Sequence, residues 1–284
     1  MGRSGTESLE IDNMNKRFKN LFFGDISFYT EKYLLSSFML YYALKNFLLM
    51  TGELATIFHG GTRLQGGTLN DAPAVLSYYL LVRFSLLAMF NAFSGGILLF
   101  SRRPQHAPEN WSAIFIPLLA SYFMLAYNFT GYMPGWMIEN YTPQSWLPFF
   151  IVSSILFGLT GQAIAVFALF HLRRSFAIFI EVRDAIVTGP YNQVRHPIYM
   201  GHILLDIGIL LSNLCPAYIF LAAAHTGLLA YRARREEHVL AASDPVYKSN
   251  MERSGFLFPK LSAFTSGEPF FSRSAAIPKE AEGK

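Results

Sequence analysis

The chain has 284 residues, of which 52% are apolar and only 15% are charged, and its formal net charge is +4. A soluble domain usually has about a quarter of its residues charged. This composition therefore favours an integral membrane protein over an ordinary soluble domain, and we expect no nucleic-acid partner. The single cysteine, Cys215, excludes an internal disulfide and leaves no cysteine cluster for a metal, so we expect none.

The first residues of the chain lack the features of a cleavable signal peptide. Residues 1–32 mix charged and polar residues, with no early apolar core followed by a small-residue cleavage site. We expect a cytoplasmic N-terminal tail over 1–32, loose as far as about residue 20. Residues 21–29 (LFFGDISFY) are aromatic and favour a short contact with the membrane surface.

Apolar runs predict about six membrane-spanning helices, since a helix needs about 20 apolar residues to cross a bilayer. The predicted spans are 33–51, 74–100, 111–130, 146–170, 198–214 and 217–231. The last two are short and are separated by SNLCP at 212–216, which predicts a tight helical hairpin. We expect its second helix to continue to about Ala242.

The distribution of basic residues predicts the orientation. With the N-terminus in the cytoplasm, 20 of the 23 Lys and Arg residues fall in cytoplasmic segments, as the positive-inside rule requires. The sequence therefore predicts a multi-pass integral membrane protein with both termini cytoplasmic.

Several polar residues lie inside the predicted spans. Asp206 falls about nine residues past Pro197, roughly 14 Å into the bilayer at 1.5 Å per residue. An acid at that depth indicates pairing or function. Arg83 is a possible partner, and His202 lies one turn away. Two interpretations remain open, a buried Arg–Asp or His–Asp pair that locks helices together and a role in shaping a substrate tunnel.

The densest group of functional residues is GPYNQVRHPIYMG at 189–201. Pro197 suits the first turn of a helix, where its missing N–H costs nothing. The helix N-terminus carries partial positive charge and free N–H donors, to which Arg195 and His196 add theirs. This stretch is therefore suited to bind a carboxylate or a phosphate.

A second charged group, RARREE at 232–237, lies at the far end of the predicted hairpin. Arg232 and Glu236 are four residues apart and share a helix face. Glu236 can accept hydrogen bonds from hydroxyl or ammonium groups, and Arg232 can bind a carboxylate through two parallel hydrogen bonds. A hairpin brings its two ends together, so the two groups predict one site for a zwitterionic cofactor and a lipophilic acid.

Residues 171–259 resemble the isoprenylcysteine carboxyl methyltransferase family of integral membrane enzymes. The pattern is Gly-x-Tyr, Arg-His-Pro-x-Tyr, a hairpin and Arg-x-x-x-Glu-Glu, in that order. The resemblance implies an all-α, polytopic membrane helix bundle with a C-terminal cytoplasmic cofactor-binding region. It marks a methyltransferase core at 172–260. The apolar runs predict a four-span region at 33–171, and the Ser-, Pro- and Glu-containing composition of 261–284 predicts a disordered tail.

The same resemblance implies S-adenosylmethionine as the cofactor and a lipophilic small molecule or lipidated peptide as the substrate, reached from the lipid bilayer. It assigns Arg232 to the substrate carboxylate, with no metal. The residues that it assigns to the cofactor are Ala185, Ile186, Val187, Tyr191, His196, Pro197, Ile198, Tyr199 and Glu236.

The chain departs from the family pattern after Glu237, because HVLAASDPVY at 238–247 lacks the usual Phe-Gly. Alternatives therefore remain: a methyltransferase for phospholipids or for other N or S acceptors, an NAD(P)H-dependent membrane reductase of related fold, and a scaffold without activity. Ile198 stands where those reductases tend to have Asn, which argues against the reductase.

Overall fold

The computed structural model describes residues 21–58, 72–101, 103–104, 107–108, 110–181 and 185–260. This part of the chain is helical, with no strand assigned in it beyond one isolated parallel bridge between Val194 and Gly255. The principal helices are α1 (Ser36–Phe58), α2 (Ala72–Leu99), α3 (Ser112–Tyr122), α4 (Leu147–Leu172), α5 (Pro197–Ser212), α6 (Pro216–Ser243) and α7 (Pro245–Arg253).

Four helical segments are long and apolar enough to cross a membrane, in agreement with a multi-pass membrane protein. They are Leu21–Ala55, Leu81–Leu99, Ser112–Tyr132 and Leu147–Leu172. The fifth predicted span corresponds to α5, which is apolar but has only 16 residues. The sixth lies within α6, whose C-terminal half is charged. The count of six therefore stays a prediction.

The N-terminal segment differs from the predicted tail. Helical turns over Leu21–Ile26, Ser27–Tyr29 and Thr30–Leu35 lead into α1 without a break. Phe22 and Phe23 pack on Trp111 at the start of α3. These aromatic contacts and the burial of Glu31 hold residues 21–32 against the bundle. The remainder of the predicted tail, 1–20, and the predicted disordered tail, 261–284, lie outside the described residues.

The predicted hairpin is present as α5 and α6. Tyr199 near the start of α5 bonds Glu236 near the end of α6, and Asp206 bonds His225 further into the bundle, so the two helices are antiparallel. Cys215 is fully buried in the turn between them. The second helix ends at Ser243, one residue beyond the expected end.

Helices α4 and α5 approach closely because glycines face each other along both. A methyl group added at Gly161 would clash with the carbonyl oxygen of Gly201 and come within 2.8 Å of the Leu205 nitrogen. One added at Gly208 would come within 2.8 Å of the Gly158 nitrogen. Small residues let membrane helices pack backbone against backbone. These glycines place α5, which opens the candidate site, directly on α4.

We expect Gly161→Ala to lower the thermal midpoint of unfolding in detergent, because the added methyl overpacks the interface at a cost of about 1–3 kcal/mol. Gly227→Ala is the matched control, since Gly227 is exposed in α6 and has nothing within 4 Å of the added methyl. There, Ala for Gly stabilises a helix by about 0.5–1 kcal/mol. Equal melting midpoints for the two variants would contradict the close α4–α5 contact.

Asp206 pairs with His225 and Tyr127, so the predicted Arg83 partner is wrong. The Tyr127 hydroxyl donates to Asp206 Oδ1 at 3.1 Å, and His225 Nδ1 lies 2.7 Å from Asp206 Oδ2. His225 Nε2 lies 3.1 Å from the Ala120 carbonyl oxygen, which can only accept, so Nε2 carries a proton. This network connects α5, α6 and the end of α3. Of the two buried pairs considered from the sequence, the structure therefore contains the His–Asp pair.

Candidate active site

One cavity at the end of the α5–α6 hairpin gathers nearly all of the residues singled out in the sequence. Nine of the ten predicted site residues line it: Ala185, Ile186, Tyr191, His196, Pro197, Ile198, Tyr199, Arg232 and Glu236. The tenth, Val187, is buried but does not line the cavity. The wall is completed by residues 175–178, 180 and 181 of the segment that connects α4 to the motif, and by apolar side chains of α1, α2 and α6.

A proline in α3 helps to hold the connecting segment. Pro117 lies inside α3 and has no N–H to donate to the carbonyl of Ala113, one turn earlier. The freed Ala113 oxygen accepts the Ile180 N–H at 3.0 Å instead. The break in the hydrogen-bond ladder of α3 is thus used to dock one wall of the cavity.

Gly189 begins the turn that presents Tyr191. Its φ of +61° lies in the left-handed region, and an added methyl would also clash with the ring of His171. The following short 3-10 helix, Gly189–Asn192, places the Tyr191 ring in the cavity wall. Asn250 of α7 donates to the Tyr191 carbonyl at 3.2 Å, which fixes the turn from the other side.

Arg195 anchors the motif to the C-terminal helices. Its Nε pairs with Glu237, and its Nη1 donates to the carbonyl oxygens of Met251 at 3.0 Å and Ser254 at 2.6 Å. The sequence suggested Arg195 as a ligand donor. In the structure these bonds engage three of its five N–H groups and hold the N-terminus of α5 against α6 and α7, and the side chain also lines the cavity.

Glu236 presents its carboxylate to the cavity. Its Oε1 accepts hydrogen bonds from the Tyr199 hydroxyl at 2.6 Å and from Arg232 Nε at 2.8 Å. Its Oε2 lies 3.7 Å from His196 Nδ1. One oxygen is therefore used to orient the side chain, which lines the cavity, and the other is the oxygen that a ligand ammonium or hydroxyl group could contact.

Arg232 is buried, with 4% of its surface exposed, and most of its donors are engaged. Besides Glu236, it donates through Nη1 to the Pro117 carbonyl at 3.3 Å and the Ser121 hydroxyl at 2.8 Å, and through Nη2 to the Ile178 carbonyl at 2.8 Å. Four of its five N–H groups thus have protein acceptors among the described residues. One N–H remains for a ligand, so the two-bond clasp expected from the sequence would require one of these bonds to break.

Two buried phenols, those of Tyr191 and Tyr247, line the cavity, and only Tyr191 was assigned to the cofactor from the sequence. The hydroxyl groups of Tyr191 and Tyr247 are both buried without a hydrogen-bond partner among the described residues. Burial raises the pKa of each, and the negative charge of Glu236 raises that of Tyr191 further. Both phenols therefore stay protonated and offer an O–H to a ligand. Tyr247 ends the stretch 238–247, where the family pattern also has a Tyr, but it was not among the residues assigned to the site because this stretch departs from the pattern.

These groups fit S-adenosylmethionine by their chemistry. A carboxylate oxygen of Glu236 suits the ammonium group or ribose hydroxyls, and the free N–H groups at the start of α5 suit the carboxylate. The unpartnered hydroxyls of Tyr191 and Tyr247 need acceptors that a polar cofactor supplies. Apolar side chains in the cavity wall, Met39, Phe90, Leu229 and Phe176, suit a lipophilic second ligand.

The anchor formed by Arg195, His196 and Glu237 predicts a pH dependence of stability. Burial raises the pKa of the Glu237 carboxyl, but His196, whose Nε2 lies 3.3 Å from Glu237 Oε1, and the bonded Arg195 outweigh it and hold that pKa below its ordinary value of 4.5. A depressed pKa stabilises the folded state fully above that ordinary value, and the contribution is lost as the pH falls through the lower, folded-state value.

We therefore expect Glu237→Gln to lower the free energy of unfolding by about 1.5–3 kcal/mol near pH 7, as for a hydrogen bond to a charged group. The gap between the melting midpoints of the two proteins should narrow below pH 4.5 and be constant above about pH 6. Melting curves recorded from pH 7 to pH 3.5 measure it. A gap that is independent of pH would contradict the ionised pair.

Comparison with known proteins identifies the segment that carries this cavity. Residues 154–242 match the model of the isoprenylcysteine carboxyl methyltransferase (ICMT) family, which confirms the predicted resemblance. Over 95 residues the chain is 30% identical to the nickel-cobalt-cadmium resistance protein NccN of Alcaligenes xylosoxydans xylosoxydans. That alignment covers 32% of this chain and 44% of NccN, so the chain spans less than half of the length of this curated relative.

Proposed function

We propose, since residues 154–242 match the model of the isoprenylcysteine carboxyl methyltransferase family, that this membrane protein transfers a methyl group from S-adenosylmethionine to a lipophilic acceptor, a carboxylate such as that of a prenylated cysteine. One observation carries the proposal. Nine of the ten residues that the family resemblance assigns to cofactor and substrate surround a single cavity, although they come from three separate segments of the chain.

The cofactor side of the cavity is formed by the motif and the end of α6. Glu236 and the phenols of Tyr191 and Tyr247 would bind its polar groups, and the N-terminus of α5 would bind its carboxylate. When bound, the cofactor supplies an electrophilic methyl group on a sulfonium. The protein orients this group and excludes water, as a preorganised site does for an in-line displacement.

The acceptor side is formed by Arg232 and the apolar wall. A carboxylate is ionised at neutral pH, so its attack needs no general base. The remaining N–H of Arg232 would donate to the acceptor carboxylate and hold one oxygen toward the methyl group. The lipophilic part would lie along Met39, Phe90 and Leu229, and a lipid or lipidated peptide would enter from the bilayer. This proposal makes the bilayer and a lipidated substrate the partners of the chain.

His202 favours a second candidate, methylation of an amine or a thiol. Its ring lies one turn beyond Tyr199, lines the cavity and contacts the rings of Phe90 and His225. An amine or thiol acceptor could hydrogen-bond a ring nitrogen of His202, which would orient it toward the methyl group. We prefer a carboxylate acceptor because Arg232 is a buried cation in the cavity wall and would attract an anionic group.

The test is transfer of a tritiated methyl group from S-adenosylmethionine in proteoliposomes. The acceptors are an N-acetylated S-farnesyl cysteine, its methyl ester, and phosphatidylethanolamine. Labelling of the acid but not of its ester supports carboxyl methylation, and labelling of the phospholipid amine supports the second candidate. No labelling, together with no calorimetric binding of S-adenosylmethionine, would overturn both, and NADPH oxidation with a sterol would then test the reductase alternative.

A further inference from the structure

Glu31 is a buried carboxylate that neither the family match nor the sequence motifs explain. It lies in the helical turns before α1, well outside residues 154–242, and its side chain is fully buried. One of its oxygens accepts the backbone N–H groups of both Ile178 and Phe179, the latter at 3.1 Å. Burying an ion is expensive unless it is paired and hydrogen-bonded. The N–H groups of Ile178 and Phe179 offset part of this cost, and Ile178 lines the cavity.

The two N–H groups belong to the stretch that also holds Arg232. The carbonyl of Ile178 and the N–H of Phe179 are the two ends of one peptide unit. That carbonyl accepts Arg232 Nη2 at 2.8 Å, while the N–H donates to Glu31. A trans peptide points these groups in opposite directions. Glu31 and Arg232 thus face each other across a single peptide, and each charge polarises the peptide so that it bonds the other more strongly.

The other contacts of Arg232 show what the bond to the Ile178 carbonyl contributes to its position. The other anchors are the carbonyl of Pro117 and the hydroxyl of Ser121, both on α3, and the carboxylate of Glu236 in the cavity. The Ile178 carbonyl is the acceptor that belongs to the connecting segment, and Glu31 fixes the position of that carbonyl. The Ile180 N–H bond to Ala113 ties the segment independently, so the segment stays docked when Glu31 is changed.

We propose that Glu31 is a positioning residue, which through the Ile178–Phe179 peptide holds the Arg232 guanidinium in the orientation that receives the acceptor carboxylate. Its effect on the acceptor rests on the proposed function, whereas the link from Glu31 to Arg232 does not. The N-terminal helical turns are on this basis part of the substrate site and not only a membrane anchor.

The experiment compares Glu31→Ala, which removes the acceptor, with Glu31→Gln, which keeps an acceptor oxygen without the charge. Glu53→Gln is the control, because Glu53 is also a buried carboxylate and lies 22 residues further along the same continuous helix, about 33 Å away at 1.5 Å per residue. Two measurements need no activity: hydrogen–deuterium exchange of the peptide covering residues 176–181, and the rate at which phenylglyoxal modifies Arg232, read by mass spectrometry.

We expect faster exchange at residues 178–179 and faster Arg232 modification in Glu31→Ala, with Glu31→Gln intermediate and Glu53→Gln like the wild type. With the farnesyl cysteine acceptor, the KM of Glu31→Ala should rise about tenfold, as expected when a hydrogen bond at a charged group is weakened. The Kd for S-adenosylmethionine should stay within about twofold, since Glu236 and the motif are unchanged.

Each result decides between the two proposals. Unchanged exchange and unchanged Arg232 modification in Glu31→Ala would overturn the link whether or not the protein has activity. A melting midpoint that falls with KM unchanged would reduce Glu31 to a structural residue and overturn the positioning role. If the wild type neither binds S-adenosylmethionine nor methylates any acceptor, the proposed function fails. Hydrogen–deuterium exchange and Arg232 modification still test whether Glu31 positions Arg232.

Discussion

Glu236→Ala is expected to weaken binding of S-adenosylmethionine by at least about 100-fold, because hydrogen bonds to a charged group contribute about 1.5–3 kcal/mol each. The Glu236 side chain lines the cavity, and Tyr199 and Arg232 hold one of its two carboxylate oxygens. Truncation removes both the ligand acceptor and the group that orients those two side chains. Calorimetric titration of the detergent-purified protein measures the effect.

Two further variants separate binding from folding. Glu236→Gln keeps an oxygen that can accept a hydrogen bond from Tyr199, so the variant should fold normally. Because it lacks the negative charge, it should bind the cofactor at least about tenfold more weakly than the wild type. Glu252→Ala removes an exposed carboxylate from α7 and should leave the Kd unchanged. If a folded Glu236→Ala protein, with a wild-type melting midpoint, binds S-adenosylmethionine within threefold of the wild type, the assignment of Glu236 to the cofactor is wrong.

Arg232→Ala is expected to abolish methylation of a carboxylate acceptor and to destabilise the protein by about 3–5 kcal/mol, the cost of breaking a buried ion pair. It removes the Arg232 donor from the Pro117 and Ile178 carbonyls and from the Glu236 carboxylate, which then has the Tyr199 hydroxyl. Because that variant can fail to fold, Arg232→Lys is the informative change. Lysine keeps the charge but has three donors on one nitrogen and cannot reach these separated acceptors together.

For Arg232→Lys we expect the KM for the farnesyl cysteine to rise at least about tenfold, since the fork geometry that presents the last N–H is lost. The Kd for S-adenosylmethionine should change by less than about threefold if Glu236 keeps its bond to Tyr199. Arg234→Lys, on the exposed face of α6, is the matched control. A KM equal to that of the wild type in a folded Arg232→Lys protein would remove Arg232 from the acceptor site.

The amino-acid sequence by itself determined the features that depend on local chemistry and on distance along the chain. Pro197 marks the first turn of α5, as its missing N–H requires. The polar break at 212–216 forces the chain to reverse, so that the two ends of the hairpin meet and Tyr199 bonds Glu236. The spacing of Arg232 and Glu236 on one helix face produces their 2.8 Å contact. These consequences follow from helix geometry alone.

Only the tertiary structure decided which distant groups share one space. Glu31 lies 147 residues from the Ile178 N–H that it accepts, and no motif connects them. Asp206 has His225 rather than Arg83 as its partner because the packing of three helices, not the spacing within one, brings those side chains together. Arg232 keeps a single N–H for a ligand since Pro117 and Ser121 of α3 take both hydrogens of Nη1. The physical reason is common to all three. A buried polar group needs a hydrogen-bond partner, and the packing of the helices decides which group that partner is. The sequence shows that a partner is needed but does not show which residue provides it.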